Sequence, residues 1–263
     1  AWRLVAAVLA TFVALCAATF LLPHDRYIRY QQLAPTIHFR TIWSYERLHF
    51  DKTPIDIAII GNSRVKSAVG APDLARALEQ RTGRPVNVVN IAMAQEGRNM
   101  HYVLARELFA THPEVKLVIL SAIEQMPRDG HPAFRNLADT DDVLHAPLLI
   151  NRGYLDDVMF QPYRQMSLFL QTMFPRPFGV HRDFDPASYA GANFDTRGDP
   201  TGLEGENPAA ANTQQDIADL RKNARARVRG ITPPVLPPSA ADIEFGMERT
   251  YTRKIADLAR RNG

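Results

Sequence analysis

A serine hydroxyl at the end of an apolar run is the group in this chain whose placement points most directly to chemistry. Ile55-Asp56-Ile57-Ala58-Ile59-Ile60 leads straight into Gly61-Asn62-Ser63-Arg64. The apolar run reads as a strand, and glycine lets the chain turn without a Cβ clash. Ligands of open α/β sheets bind in the crevice outside the carboxyl ends of the strands. Ser63 is therefore the candidate nucleophile. Gly-Asn-Ser is also ordinary turn chemistry, and a serine hydroxyl attacks poorly until a base takes its proton.

The neighbours that can serve such a site are few. Arg64 can hold an anionic or acyl-bearing substrate, or pair with Glu96 or Glu124. Those two carboxylates each follow a strand, and one of them can do acid–base work if it is desolvated. Solvated loop carboxylates are the plainer alternative. Arg98 and Asn99 are polar-site candidates that can equally cap a helix. His101 and His112 flank a helix and read as solvated or capping side chains. Asp142-Val143-Leu144-His145 sits in an acidic helix start and reads as surface. No phosphate-binding loop, Gly-x-Gly-x-x-Gly or metal-ligand spacing occurs, so neither cofactor nor metal is expected.

Composition narrows the class. The chain has 263 residues, 46% of them apolar, which suits one moderately large domain or a domain with an insertion. A net charge of +3, spread along the chain, makes no electrostatic case for nucleic acid. The single cysteine, Cys16, excludes an internal disulfide and a cysteine-based zinc site.

The elements that must position Ser63 follow a rhythm. Ile55–Ile60, Val86–Ile91 and Val115–Leu120 are predicted strands starting about 30 residues apart, the size of a βαβ unit. Between them lie a helix from Pro72 to Arg81, ended by Gly83, and a helix from Asn99 to Ala110. The strands are almost continuously apolar, which predicts a parallel sheet buried on both faces between helix layers. The rhythm stops after Glu124. Residues 127–238 read as a helical and loop insertion, with helical pieces at Tyr154–Phe160 and Tyr163–Phe174 and a mobile loop at Gly191–Pro208. A helix at Thr213–Arg229 and a stiff proline linker from Ile231 to Pro238 follow. Ser239–Asp242 caps a last helix carrying Met247, Tyr251, Ile255 and Leu258, which returns to the core over 239–263.

The N-terminus carries a different signal. Leu4–Leu22 is uncharged and 19 residues long, enough to cross a bilayer at ~1.5 Å per residue. Residues 1–23 are read as an uncleaved anchor with the following domain facing outward. A cleaved signal peptide and a buried helix are the alternatives. The juxtamembrane stretch 24–53 is rich in aromatics and arginines, which suits either a membrane interface or a lead-in helix packed on the domain. The start at Ala1 and the end on Asn262-Gly263, where a βα rhythm calls for a strand, give the expectation of a fragment.

Residues 54–126 are read as the α/β core, and within it Ile55 to Glu124 resembles the SGNH/GDSL hydrolase superfamily, and more narrowly its membrane-anchored members in bacterial cell-surface polysaccharide systems. The residues that carry the resemblance are Gly61-Asn62-Ser63-Arg64, Asn90-Ile91-Ala92-Met93-Ala94 and Val118-Ile119-Leu120-Ser121. It implies a flavodoxin-like three-layer α/β sandwich with Ser63 as nucleophile. It also implies an oxyanion donor from the turn at Ala94-Gln95, where a glycine is usual. The third block's asparagine is absent, Ser121-Ala122-Ile123-Glu124 standing there, and the Asp-x-x-His block is expected beyond Gly263. The implied activity is an esterase or O-acyltransferase on an extracytoplasmic glycan or acyl-ester substrate, without cofactor. The alternatives are a non-catalytic scaffold in an envelope polysaccharide assembly, and a soluble flavodoxin-like binding domain with a cleaved signal.

Overall fold

The computed structural model describes residues 1–121, 128–197, 243 and 245–263. Three parallel strands, β1 (Ile57–Ile60), β2 (Val88–Asn90) and β3 (Leu117–Leu120), form a sheet in the order β2-β1-β3. Ile57 pairs with both Val88 and Leu117, and Ile59 with both Asn90 and Ile119. The central strand therefore ends level with its neighbours, and all three carboxyl ends open on one side. The fold is mixed α/β, with helices outnumbering strands among the described residues.

Ten α-helices accompany the sheet among the described residues. Ahead of it come α1 (Trp2–Thr19), α2 (Arg26–Gln31) and α3 (Thr41–His49). Between the strands lie α4 (Ser63–Ala68), α5 (Ala71–Thr82) and α6 (Arg98–Thr111). After it come α7 (Phe134–Leu137), α8 (Thr140–Leu144), α9 (Tyr154–Met173) and α10 (Gly246–Arg261). The punctuation expected of α5 is present. Pro72 stands in its first turn and Gly83 ends it at φ 67°, a left-handed cap that glycine adopts without penalty.

Side chains alternate across β1. Ala58 and Ile60 face α6 in the main core, while Ile59 packs with Val88 and the Ala71, Leu74 and Leu78 side of α5. The prediction that every strand is buried on both faces fails at β3. Leu117 and Ile119 remain 49% and 39% exposed, because α5 covers β1 and β2 and no described element lies over β3 on that side.

The stretch before the sheet belongs to the core. Tyr27, Tyr30, Trp43 and Tyr45 are buried in the same cluster as Val103, Leu108 and Phe134, so packing on the domain prevails over the membrane-interface alternative. Charge reinforces this. Glu107 on α6 takes Arg26 at 2.5 Å and His49 at 3.0 Å, and Arg29 holds Asp139 at 2.7 Å. The first part of the insertion shares that core through Phe134, Leu137 and Val143.

Two expectations for the insertion are corrected. The helical pieces on either side of Pro162 are one helix, α9, because its buried polar side chains anchor it on both sides of the proline. The described part of the expected mobile loop, 191–197, is pinned to the domain. Trp43 Nε1 donates to the Gly191 carbonyl at 3.1 Å, Arg40 donates to the Thr196 carbonyl, and Arg197 reaches Asp73 at 2.6 Å. The helix, linker and cap expected over 213–242 lie outside the described residues. α1 is long and apolar enough to cross a membrane, and its side chains are almost wholly exposed; a signal sequence meets the same description.

Candidate functional site

The strand order defines where a site can form. Chain passes from β1 to β2 on one side, then back across β1 to β3 on the other, so the crevice opens between the carboxyl ends of β1 and β3. Gly61 closes β1 at that point. A Cβ there would lie 2.9 Å from Val65 Cβ and 3.0 Å from Ser121 Cβ, so only glycine lets the start of α4 and the end of β3 approach this closely.

Asn62 is buried and its side chain caps α4, accepting from Arg64 N at 3.1 Å and Val65 N at 3.4 Å. Its amide donates to Glu96 Oε1 at 3.3 Å, so it is committed to structure on both sides. Ser63 is the first residue of α4 and is exposed, as is Arg64. Among the described residues the Ser63 hydroxyl has no hydrogen-bond partner.

The exit of β2 is laced to this turn. Met93 N donates to the Gly61 carbonyl at 2.9 Å, and Asn90 Nδ2 donates to the Val69 carbonyl at 2.8 Å, closing the far end of α4. Ala94 is buried, its carbonyl accepting from His131 Nε2 at 2.8 Å. Gln95 is exposed at φ 66°, the one non-glycine with positive φ among the described residues. It therefore holds a left-handed conformation of the kind glycine adopts freely, in the turn where the resemblance implies glycine.

At the start of α6, Asn99 is buried and its Oδ1 accepts from His131 N at 2.9 Å, fastening the 128–131 loop to the helix. Its Nδ2 is without a partner among the described residues. Arg98 is buried and spent on structure: it holds Glu248 on α10, the Ser121 carbonyl and His101 Nδ1. Ser121 ends β3 with its own hydroxyl buried and unpartnered among the described residues. Glu124 lies outside the described residues.

Neither His101 nor His131 has a ring lone pair left for Ser63, because His101 Nδ1 accepts from Arg98 and His131 Nδ1 from Ala133 N. Burial pushes His101 down to about 3, helped by the Arg98 guanidinium. Burial likewise pushes His131 down to about 3, against a bond to the Ala94 carbonyl that pulls the other way. Because His131 Nδ1 accepts from Ala133 N at 3.0 Å, its proton sits on Nε2, and the ring is neutral with both nitrogens used. His112 bonds Glu114 at 2.8 Å, and Glu114 in turn accepts from Ile55 N, at the opposite end of the sheet. The Asp142…His145 pair does not form. Asp142 takes Arg106, while His145 bonds Asp141 at 3.0 Å on the surface.

Sequence reasoning missed His131, whose role comes from a contact 37 residues away in the chain, and Lys66, a lysine that is fully buried. Lys66 lines a small cavity with His38, Arg40, Met93 and Ala94 behind α4. No pattern distinguishes Lys66 from a surface lysine; its burial depends on residues 37–41 folding over it. Among the described residues no group of three His, Cys, Asp or Glu side chains is arranged to hold a metal.

Compared with known proteins, the chain matches no family model, no curated protein and no solved structure. An exposed hydroxyl at a helix start, beside a turn held in left-handed geometry, can accept or donate a hydrogen bond to a carbonyl-bearing ligand. It can act as a nucleophile wherever a base is brought to it.

Proposed function

We propose that the chain is a membrane-anchored, SGNH-like serine esterase or O-acyltransferase acting on an extracytoplasmic glycan, with a flavodoxin-like three-layer core. In this reading α1 is an uncleaved anchor and the remainder of the chain faces outward. Ser63 Oγ attacks the ester carbonyl, the alcohol leaves, and the acyl group on Ser63 passes to water or to a sugar hydroxyl. The resemblance assigns the base that takes the Ser63 proton to an Asp-x-x-His pair, with Glu96 and Glu124 as the carboxylate alternatives. Arg64 lies beside the serine to meet negative charge.

The observation that carries this reading is the state of Ser63. It is exposed at the β1/β3 crevice with a hydroxyl unbonded among the described residues, while Asn62, Asn90, Arg98 and Asn99 Oδ1 are tied into structure. The test is labelling of the full chain with a fluorophosphonate, followed by peptide mapping. An adduct at Ser63 that disappears in Ser63→Ala is expected; no adduct in chain that is folded by circular dichroism overturns the catalytic reading.

A second reading, a non-catalytic scaffold of an envelope polysaccharide assembly that binds glycan or partner proteins, is favoured by the histidines. His101 Nδ1 accepts from Arg98 and His131 Nδ1 accepts from Ala133 N, so neither of these buried rings has a lone pair left for the Ser63 proton. Glycan binding that survives Ser63→Ala, together with absent labelling, would establish it.

A further inference from the structure

α9 is folded inside out. Its buried residues include Asp157, Gln161, Arg164 and Gln165, whereas Leu155, Met159, Tyr163, Met166, Leu170 and Met173 are exposed, Met159 at 74%. At ~100° per residue those six side chains fall within one half of the helix circumference, so they form one continuous apolar face turned away from the domain.

Hydrogen bonds fix that orientation. Arg164 Nη1 donates to the Ala138 carbonyl at 2.7 Å and the Arg135 carbonyl at 2.9 Å, and its Nη2 donates to Thr140 Oγ1 at 3.0 Å. Gln165 Nε2 donates to the same hydroxyl at 2.7 Å. The helix thus uses its polar side to satisfy the carbonyls at the end of α7. Rotating the apolar face inward would carry Arg164 away and leave those buried carbonyls without their donor, which is costly.

A large exposed apolar face rimmed by polar residues marks an interaction surface. The position of α1 identifies the occupant. α9 packs against α1, and near the end of α9 Thr172 Oγ1 accepts from Asp25 N at 3.0 Å, six residues after α1 ends at Thr19. Exposed arginines bracket the helix, Arg152 before it and Arg176 and Arg182 after it, as suits lipid phosphates.

We infer that α9 lies along the bilayer surface, its apolar face set into the boundary between headgroups and acyl chains of the membrane that α1 crosses. The surface seats the domain on the lipid and fixes its tilt, rather than leaving it swinging from a single helix. This rests on the reading of α1 as an anchor, and the experiment separates the two.

The full chain carrying Cys16→Ser receives one cysteine at a time, Met159→Cys, Met166→Cys, Val8→Cys in α1 or Glu79→Cys on the exposed side of α5. Each is labelled with a polarity-sensitive fluorophore and reconstituted in vesicles of phosphatidylcholine and phosphatidylglycerol. Quenching by spin-labelled lipid is compared with quenching by iodide. At positions 159 and 166 lipid quenching is expected to exceed iodide quenching several-fold, with the reverse at 79. Lipid quenching at 8 with iodide quenching alone at 166 overturns the inference and leaves the anchor standing. Iodide quenching alone at 8 overturns the anchor reading itself. Protection of 166 from both quenchers means that protein covers the face, and also overturns the inference.

Discussion

Arg98 on α6 and Glu248 on α10 meet in a forked pair, with Arg98 Nε 2.9 Å from both carboxylate oxygens of Glu248. The same guanidinium donates to the Ser121 carbonyl at 2.8 Å, so one buried side chain ties the last described helix to the end of β3 beside the crevice. Removing the carboxylate leaves a buried charge without its partner. Glu248→Ala is expected to cost about 3 kcal/mol, the lower end for a broken buried pair, because Glu248 keeps some contact with water. Urea unfolding of the full chain in detergent micelles would measure this, and a midpoint equal to that of the parent protein would show that the clamp carries no stability.

Asn62 fixes the first turn of α4 and with it the direction of Ser63. Asn62→Ala removes the acceptor for Arg64 N and Val65 N and is expected to lose about 1 kcal/mol. Asn62→Asp keeps an acceptor but sets a carboxylate against Glu96, where the amide now donates at 3.3 Å. It should recover only part of the loss, because two carboxylates then face each other. Thermal melts of the two variants check both statements.

Gln95 is held at φ 66° on an exposed turn. A non-glycine residue in the left-handed region costs roughly 1–2 kcal/mol, and part of the relief in a glycine variant is offset by the greater freedom of its unfolded chain. Gln95→Gly should therefore stabilise by up to about 1 kcal/mol, whereas Gln95→Val should destabilise by at least as much. If neither variant moves the unfolding midpoint, the turn is not strained.

Acid sensitivity follows from His131 and His101. Burial holds each near 3 in the folded state, below the ordinary 6.5 that applies when the chain is unfolded. Below 6.5 the unfolded chain binds a proton at each site that the folded chain refuses. Stability is therefore fully present above 6.5 and lost as pH falls toward 3, at about 1.4 kcal/mol per pH unit for each histidine. His131→Gln should make the plot of unfolding free energy against pH shallower by one proton over that window, even if it lowers stability at neutral pH. An unchanged slope between pH 6 and pH 4 would mean that His131 is already protonated in the fold.

Local physics was legible in the sequence. The apolar runs at Ile55–Ile60, Val86–Ile91 and Val115–Leu120 contain the three strands, and Pro72 and Gly83 bracket α5 as their backbone preferences require. Each strand starts two residues later than its apolar run and β2 also ends one earlier, where pairing rather than composition sets the limit. Gly61-Asn62-Ser63 was readable as a turn presenting a hydroxyl because glycine and an N-cap asparagine have specific local roles. The helical pieces on either side of Pro162 were readable too, but not their union across it.

Partners and orientation were decided only by the tertiary structure. Nothing near His131 in sequence announces the Ala94 carbonyl, and nothing in α6 announces that Arg98 is taken by Glu248. α9 is the clearest case, since amphipathicity tells that a helix has two faces and not which one the domain keeps. The carbonyls ending α7 needed Arg164 and Gln161, and that need turned Leu155, Met159 and Met166 outward. Ser63 belongs to both levels: its turn is local, while the contacts that tie Asn62 to Glu96 and Arg98 to Glu248 are long-range. Local rules act through one residue and its next few neighbours, whereas burial and pairing depend on groups that only the folded chain brings together.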